Sequence, residues 1–159
     1  DPIAEMIEKA LLKRTALEDV LTDSGSSLNF LKAGVEDLPD EKADLIVCYY
    51  TLQFIRPAVR QQVVDLLYDR LNWGGGLVVF EKVRACDARF QDLFMQLYTE
   101  FKLSNGFSAE DIVNKSRSLK GILEPFSTKG NFELLERAGF VDVNTIHKHL
   151  CFEGFLAIK

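Results

Sequence analysis

The pattern of apolar and polar positions predicts one βαβ unit between Ala43 and Lys82. Residues 43–50 form an apolar run without regular polar alternation, which favours a strand buried on both faces of a parallel sheet. Apolar residues then recur at helical spacing from Pro57 to Leu71, and a glycine turn leads into a second apolar strand. Ligands of such sheets lie at the carboxyl ends of the strands. Residues 49–54 are therefore the first candidate for a functional segment.

Helical spacing predicts four more helices. The first ends near Leu21, and the others cover residues 87–103, 108–116 and 128–137, the last closed by Gly139. The helix over residues 87–103 has an aromatic stripe, which indicates core packing or, as the alternative, a dimer or lid surface. This stripe comprises Phe90, Leu93, Phe94, Leu97 and Phe101.

The remaining apolar runs predict three further strands. Leu28–Ala33 has the composition of a short strand. Residues 140–149 and 151–159 form two strands whose connection is too short for a crossover helix, so we expect an antiparallel hairpin. Several βα units followed by such a hairpin are typical of the class I methyltransferase sheet. We therefore expect an α/β fold with a Rossmann-like methyltransferase sheet, mostly parallel with a C-terminal antiparallel hairpin and with helices on both faces.

Length and charge narrow the class of protein. A chain of 159 residues with 47% hydrophobic content predicts a single domain, residues 1–159, with one core. The formal net charge of −5 offers no basic field for tracking a nucleic-acid backbone, so no direct nucleic-acid binding is expected. Cys48, Cys86 and Cys151 lack CxxC spacing and indicate reduced thiols. Together with the absence of a long apolar stretch, this predicts a soluble, cytoplasmic protein without membrane partners.

Two groups of side chains invite a chemical interpretation. Glu81 and Lys82 follow the second strand of the βαβ unit, where the carboxylate is a candidate base and a solvated ion pair is the alternative. His147, His149, Cys151 and Glu153 alternate, which would place four possible metal ligands on one strand face. The predicted turn near Leu150 interrupts that alternation, and no HExxH or paired CxxC accompanies it. We therefore predict no metal site.

Several short motifs resemble the carboxy-S-adenosylmethionine synthase family, whose members belong to the S-adenosylmethionine methyltransferase superfamily and act in tRNA wobble-uridine modification. The resemblance extends over nearly the whole chain. The motifs are Tyr50-Thr51-Leu52-Gln53-Phe54, Leu71-Asn72-Trp73-Gly74-Gly75-Gly76-Leu77, Glu81-Lys82, Glu100-Phe101-Lys102, Asn105-Gly106-Phe107-Ser108 and Ala138-Gly139-Phe140.

The resemblance implies a cofactor, S-adenosylmethionine or a derivative, and a homodimer. The superfamily's first strand and glycine-rich loop have no counterpart in this sequence, so the chain resembles a family member that begins after that strand. Asp1 aligns with the acidic residue that accepts hydrogen bonds from the ribose hydroxyls. The implied cofactor-binding residues are Asp1, Gly34, Val35, Tyr49, Tyr50 and Thr51.

Three positions depart from the family pattern. Gly34 stands where the family has an aspartate for the adenine amino group, and Tyr49 stands where it has an asparagine. The family's arginine, which reaches across the dimer to the extra carboxylate of its cofactor, falls at Ser116, with Arg117 one residue on. Because an arginine fork binds carboxylates bidentately, Arg117 is the candidate for that role.

The leading hypothesis is an S-adenosylmethionine-dependent transferase of this superfamily, with tRNA-modification-related or small-molecule methyl or carboxymethyl chemistry. Transfer from a sulfonium requires alignment and exclusion of water more than an acid or base, so no catalytic residue is assigned. The alternative is a degenerate, non-catalytic relative that dimerises or binds a partner. A nicotinamide dehydrogenase is a weaker alternative, because it too needs a glycine-rich loop and has no such terminal hairpin.

Overall fold

The computed structural model describes residues 2–15 and 17–159, which divide into two compact units at the junction between Asp40 and Glu41. The N-terminal unit contains α1 (Ala4–Thr15) and α2 (Glu18–Ser24). Helix α2 ends at Gly25, whose left-handed backbone lets its N–H donate to the carbonyls of the preceding turn. Within the described residues, two helices thus replace the single helix that was expected to end near Leu21. The second of them ends at Ser24, three residues beyond the expected end.

Residues 26–34 of this unit contain no strand, so the prediction of a strand at Leu28–Ala33 is wrong. Phe30 and Leu31 instead line a shallow depression together with Met6 and Ala10 of α1. Leu31 remains 48% exposed, so the apolar segment is not buried as a strand inside the sheet would be. Within the described part of the unit no second strand supplies the hydrogen bonds that a β-strand needs.

The larger unit, Glu41–Lys159, carries the sheet. Its elements in chain order are β1 (Ala43–Tyr49), a 3₁₀ helix (Leu52–Phe54), α3 (Pro57–Arg70), β2 (Leu71–Lys82), α4 (Ala88–Ser104), α5 (Ala109–Ser118), α6 (Thr128–Ala138), β3 (Asp142–His149) and β4 (Phe152–Ile158).

The four strands are ordered β1-β2-β4-β3. Strands β1 and β2 are parallel and joined by α3, which confirms the predicted βαβ unit. The expected burial of the first strand on both faces is wrong, since Leu45 and Val47 of β1 are 59% and 56% exposed. Strand β4 is antiparallel to both β2 and β3, which confirms the terminal hairpin. The expectation of a mostly parallel sheet holds only for β1 and β2, because the expected strand at residues 28–33 does not form. The described sheet therefore has one parallel and two antiparallel pairings.

The predicted glycine turn lies inside β2 as a bulge. Ala43 pairs with Leu71 and Leu45 pairs with Gly76, so residues 72–75 loop out opposite the single residue Asp44 of β1. Gly74 has a φ of +77°, and its N–H donates to the carbonyl of Lys159 over 2.8 Å. Trp73 on this bulge is 89% exposed. The bulge ties the beginning of β2 to the end of β4.

Side-chain caps set the beginnings of the three helices that follow β2. The Asp87 side chain accepts from Phe90 N–H, and the Ser127 side chain accepts from Gly130 N–H. Ser108 and Asp111 form a reciprocal capping box at the beginning of α5. These caps confirm the predicted beginnings of α4, α5 and α6 to within one residue.

The core of this unit lies between the sheet and helices α3 and α6. Val64 and Leu67 of α3 pack here, and the Phe132 ring of α6 meets the Phe155 ring of β4 edge to face. On the opposite face, Tyr98 of α4 contacts Phe152 of β4 at 5.1 Å between ring centroids. Helices therefore meet both faces of the sheet. Among the described residues, no helix is long and apolar enough to cross a membrane.

Candidate functional site at the carboxyl ends of the parallel strands

Tyr49 and Tyr50 mark the carboxyl end of β1. Tyr49 lies opposite Phe80 of β2 and is 65% exposed. Tyr50 has a φ of 55°, and its N–H donates to the Phe80 carbonyl over 2.8 Å. Because the left-handed backbone interrupts strand alternation, the two tyrosine rings come together, with centroids 4.5 Å apart. Both rings therefore lie at the edge where ligands of parallel sheets bind.

The 3₁₀ helix that follows is fixed to the end of β2 by three hydrogen bonds. The Glu81 carboxylate accepts the backbone N–H groups of Leu52 at 2.9 Å and Gln53 at 2.8 Å. In return, the Gln53 side-chain oxygen accepts the backbone N–H of Lys82 at 2.9 Å. Glu81 and Gln53 are both buried. The segment after β1 is thus held rigidly against the next strand.

Burial controls the ionisation of this site. It raises the pKa of Glu81 to about 7, although the two backbone donors and the Arg60 charge favour the ionised form. Burial, with a smaller contribution from the Glu81 charge, raises the pKa of Cys48 to about 12. The Cys48 thiol is therefore protonated at neutral pH, while Glu81 titrates there. Since both Glu81 oxygens already accept backbone N–H groups, this carboxylate holds the turn and is not presented as a base.

Arg60 of α3 also stabilises the segment after β1. Its side chain is 1% exposed, and Nη2 donates to the carbonyls of Ile55 at 2.6 Å and Glu124 at 3.0 Å. The guanidinium also lies 4.1 Å from the centre of the Phe126 ring. The Glu124 N–H donates to the Gln53 carbonyl at 3.0 Å. Arg60 therefore connects the 3₁₀ helix to the loop before α6.

Aromatic and basic side chains continue the site towards α4. The Phe152 ring meets Tyr50 and Tyr98 edge to face, at 5.7 and 5.1 Å. The ammonium groups of Lys82 and Lys102 lie 5.0 and 4.0 Å from the centre of the Tyr98 ring. Lys82 projects from the sheet face opposite to Glu81, since adjacent strand residues alternate. The two residues therefore do not form the solvated ion pair considered above.

Of the sequence-predicted cofactor residues, the structure brings Tyr49, Tyr50 and Thr51 together. Thr51 is exposed and directly precedes the 3₁₀ helix. Gly34 and Val35 lie in a turn of the N-terminal unit. The Gly34 carbonyl accepts the Asp37 N–H, and the Val35 carbonyl accepts the Leu38 N–H. Asp1 lies outside the described residues, so its expected role stays a prediction. Arg117 is exposed in the last turn of α5.

Three contributors to this edge were not identified as site residues from the sequence. No sequence motif predicts that the polar residues Gln53 and Arg60 are buried, although Gln53 lies in one of the segments that resemble the family. Tyr98 appears as one more aromatic on α4, outside the stripe. A signal for Glu81 did exist, since its place after a buried strand made it a candidate. The missing information was the pairing between side chains far apart in the chain.

The polar residues of the terminal hairpin have partners other than a metal. The His147 ring lies 6.0 Å from Phe80, and the His149 ring lies 5.6 Å from Phe101. The buried Glu153 carboxylate pairs with Lys148 Nζ at 2.6 Å. In the part of the chain that the structure describes, no group of three or more His, Cys, Asp or Glu side chains is arranged to hold a metal ion.

Sequence comparison finds relatives over almost the whole chain. It is 35% identical over 159 residues to carboxy-S-adenosyl-L-methionine synthase of Campylobacter jejuni, covering 100% of this chain and 65% of the relative. It is 33% identical over 148 residues to the synthase of the same name from Staphylococcus epidermidis, covering 93% of this chain and 64% of the relative. The chain thus spans just under two thirds of these relatives. No family model matches the sequence.

Several solved structures with a similar fold are methyltransferases. Human N-acetylserotonin methyltransferase, in a crystal structure with bound S-adenosylmethionine, has a TM-score of 0.55 and 17% identity, covering 82% of this chain and 33% of its own. An O-methyltransferase family protein from Burkholderia thailandensis has a TM-score of 0.60 and 15% identity, covering 92% and 40%. These likenesses show a methyltransferase fold. In sequence, the chain is similar to the carboxy-S-adenosyl-L-methionine synthases over just under two thirds of their length.

Proposed function

We propose that this protein is an S-adenosylmethionine-dependent transferase that binds S-adenosylmethionine or a derivative at the carboxyl ends of β1 and β2. The observation that carries the proposal is the fixed segment after β1, where Tyr49 is exposed beside Tyr50 and Thr51. The names of the sequence relatives support the same cofactor class. The reaction we propose is methyl or carboxymethyl chemistry on a small molecule, in the context of tRNA modification.

The residues at this edge fit the adenosine part of such a cofactor. A purine is flat and apolar on its faces, and an exposed tyrosine ring at a strand end offers it a stacking surface. The hydrogen bonds from Glu81 and Gln53 keep that surface in place, so little ordering is needed on binding. From the family resemblance alone, Asp1, Gly34 and Val35 of the N-terminal unit are also proposed as cofactor-binding residues.

The proposed chemistry requires positioning rather than a proton carrier. When bound, the cofactor supplies an electrophilic carbon next to a sulfonium. The protein's part is to align that group with an acceptor and to exclude water. The rigid turn after β1 aligns the adenosine end, and the apolar rings of Tyr50, Phe152 and Tyr98 exclude water beside it.

Titration calorimetry with S-adenosylmethionine and S-adenosylhomocysteine tests this proposal. We expect saturable binding of both ligands by the 159-residue chain, because they share the adenosine part. Circular dichroism on the same sample establishes that the protein is folded. A folded sample that binds neither ligand at millimolar concentration contradicts the proposal.

We also propose that the protein acts as a homodimer. Helices α4 and α5 expose several large apolar side chains, and a second copy is the partner implied by the family resemblance. Arg117, exposed on α5, is the candidate that reaches a carboxylate in the partner's site. The exposed apolar residues are Phe90, Leu93, Met95, Leu97, Phe101 and Leu103 of α4, Phe107 of the connecting loop and Val113 of α5. Sedimentation equilibrium tests this proposal. We expect a dimer at micromolar concentration. A protein that is still monomeric at about 100 µM contradicts it, because the dimer would then be too weak to form under working conditions.

A cytoplasmic location completes the proposal. Cys48, Cys86 and Cys151 are free thiols, and two of them are buried, which fits a reducing compartment. Fractionation of cells that produce a tagged protein tests this. Nothing observed favours the alternative of a non-catalytic partner-binding module.

A further inference from the structure

The pair of lysines beside Tyr98 has no charge partner among residues 2–15 and 17–159. Lys82 and Lys102 are both half-buried, and their ammonium groups lie 5.0 and 4.0 Å from the centre of the same ring. Within the described residues, neither ammonium group has a carboxylate within 4.0 Å. Two neighbouring positive charges in a chain of net charge −5 are thus left without an anion.

The energetics of this arrangement favour an anionic ligand. Burial lowers the pKa of Lys102, and the nearby Lys82 charge lowers it further, so the two ammonium groups repel each other in the protein alone. The Tyr98 ring offsets part of that repulsion through its negative face. Nearby, the buried Cys151 is a neutral thiol, since burial raises its pKa, and it supplies no negative charge.

The place of the lysines in the fold identifies what they would bind. Lys82 is the last residue of β2, at the edge where Tyr49 ends β1 and Tyr50 follows it. Phe152 connects the Tyr50 ring to the Tyr98 ring, so the lysines and the proposed adenosine surface border one continuous aromatic wall. An anion held here would belong to a small molecule at that edge.

We propose that Lys82 and Lys102 form a carboxylate-binding site at the end of β2, beside the Tyr98 ring. Two ammonium groups donate to the oxygens of one carboxylate, and the anion removes their mutual repulsion. The carboxylate has two possible sources, the amino-acid end of the cofactor or a separate second substrate. The choice between these sources rests on the proposed function, whereas the site itself does not.

Thermal unfolding in citrate, compared with chloride at equal ionic strength, tests the site without a cofactor. We expect citrate to raise the midpoint of wild type and of the control Lys120→Met, which changes an exposed lysine outside the site. Lys102→Met should lose that response while keeping its midpoint in chloride, because the substitution relieves repulsion. Lys102→Arg should retain the response. Lys82→Met provides a second, independent loss of charge.

Two results overturn the site. One is an undiminished citrate response in both Lys82→Met and Lys102→Met. The other is a large fall of the midpoint of both variants in chloride, which would make the lysines structural partners of Tyr98. The site is also contradicted if the control Lys120→Met loses its citrate response, because citrate would then bind nonspecifically to lysines.

Calorimetry with S-adenosylmethionine and with 5′-methylthioadenosine, which lacks the amino-acid end, distinguishes the two sources. If the carboxylate is the cofactor's own, Lys102→Met weakens S-adenosylmethionine binding by about tenfold and leaves methylthioadenosine binding unchanged. If it belongs to a second substrate, both affinities stay unchanged while the citrate response is lost. Absence of binding of both nucleosides to wild type contradicts the proposed function, and the citrate experiment then still decides the site.

Discussion

Gln53 and Glu81 are the two ends of a reciprocal pair of hydrogen bonds between the turn after β1 and the end of β2. The Glu81 carboxylate accepts the Gln53 backbone N–H at 2.8 Å, and the Gln53 side-chain oxygen accepts the Lys82 backbone N–H at 2.9 Å. The two contacts join the turn after β1 to the end of β2 across 28 and 29 positions of sequence. This reciprocal link is what makes the proposed ligand edge rigid in the absence of a ligand.

Gln53→Ala should destabilise the fold. The substitution leaves the Lys82 N–H without its acceptor in a partly buried place, which costs about 1 kcal/mol of unfolding free energy. Urea denaturation followed by circular dichroism measures the change. Gln62→Ala on the exposed side of α3 is the control and should change stability by less than about 0.5 kcal/mol. Equal stabilities of the two variants would show that the Gln53 contact contributes nothing.

Glu81 should make stability fall as the pH rises. Its pKa is about 7 in the folded protein and near its ordinary value of 4.5 in the unfolded chain. Between these values the folded state binds the extra proton, so this group's contribution is complete below about pH 4.5 and is lost as the pH rises through about 7. The expected contribution is on the order of 3 kcal/mol.

The difference between wild type and Glu81→Gln isolates this effect from other titrations. Urea denaturation of both proteins from pH 4.5 to 8 should show wild type losing stability relative to the variant as the pH rises. A constant difference over that range would mean that Glu81 does not titrate there.

Tyr49→Ala should weaken cofactor binding without affecting the fold. The ring is 65% exposed, so its removal leaves no cavity, whereas the loss of a stacking surface should weaken S-adenosylmethionine binding by about three- to tenfold. Calorimetry measures the affinity. Trp73→Ala removes another exposed aromatic ring, on the β2 bulge, and serves as the matched control. The stacking role is refuted if both variants bind with wild-type affinity.

Gly139→Ala should cost more stability than Gly106→Ala. Both glycines have positive φ, +112° and +87°, which an alanine adopts only with strain of about 1–2 kcal/mol. At Gly139 the added Cβ would also lie 3.0 Å from the Tyr68 ring, whereas at Gly106 it meets nothing within 4 Å. We therefore expect an additional loss of about 1 kcal/mol or more at Gly139, measured by urea denaturation. Equal losses would exclude the steric contribution of Tyr68.

Local patterns in the sequence were sufficient for the βαβ unit, the later helices and the terminal hairpin. Pro57 at the first turn of α3 and Gly139 after α6 act through their own backbone, so these boundaries are readable from a few neighbouring residues. Residues 28–33 show the limit of such patterns. An apolar run indicates side chains that are suited to burial. Such a run becomes a β-strand only if a neighbouring strand accepts and donates its backbone hydrogen bonds.

The candidate site was predictable in position and less so in its internal links. The carboxyl ends of β1 and β2 follow from the parallel order alone, which brought Tyr49, Tyr50 and Thr51 forward. The contact between Glu81 and Gln53 depends on strand register and on the left-handed backbone of Tyr50, a residue type that rarely adopts it. The lysines beside Tyr98 depend on how α4 packs against β4, which helical spacing does not determine.

The bulge in β2 has a spectroscopic consequence. It carries Trp73, the single tryptophan of the chain, with 89% of the residue in contact with solvent. Because this indole is already hydrated in the native protein, its fluorescence should change little on denaturation and should be quenched readily by iodide. Near-ultraviolet circular dichroism of the packed tyrosines Tyr68 and Tyr98, whose neighbours are fixed, is the optical signal that reports loss of tertiary packing.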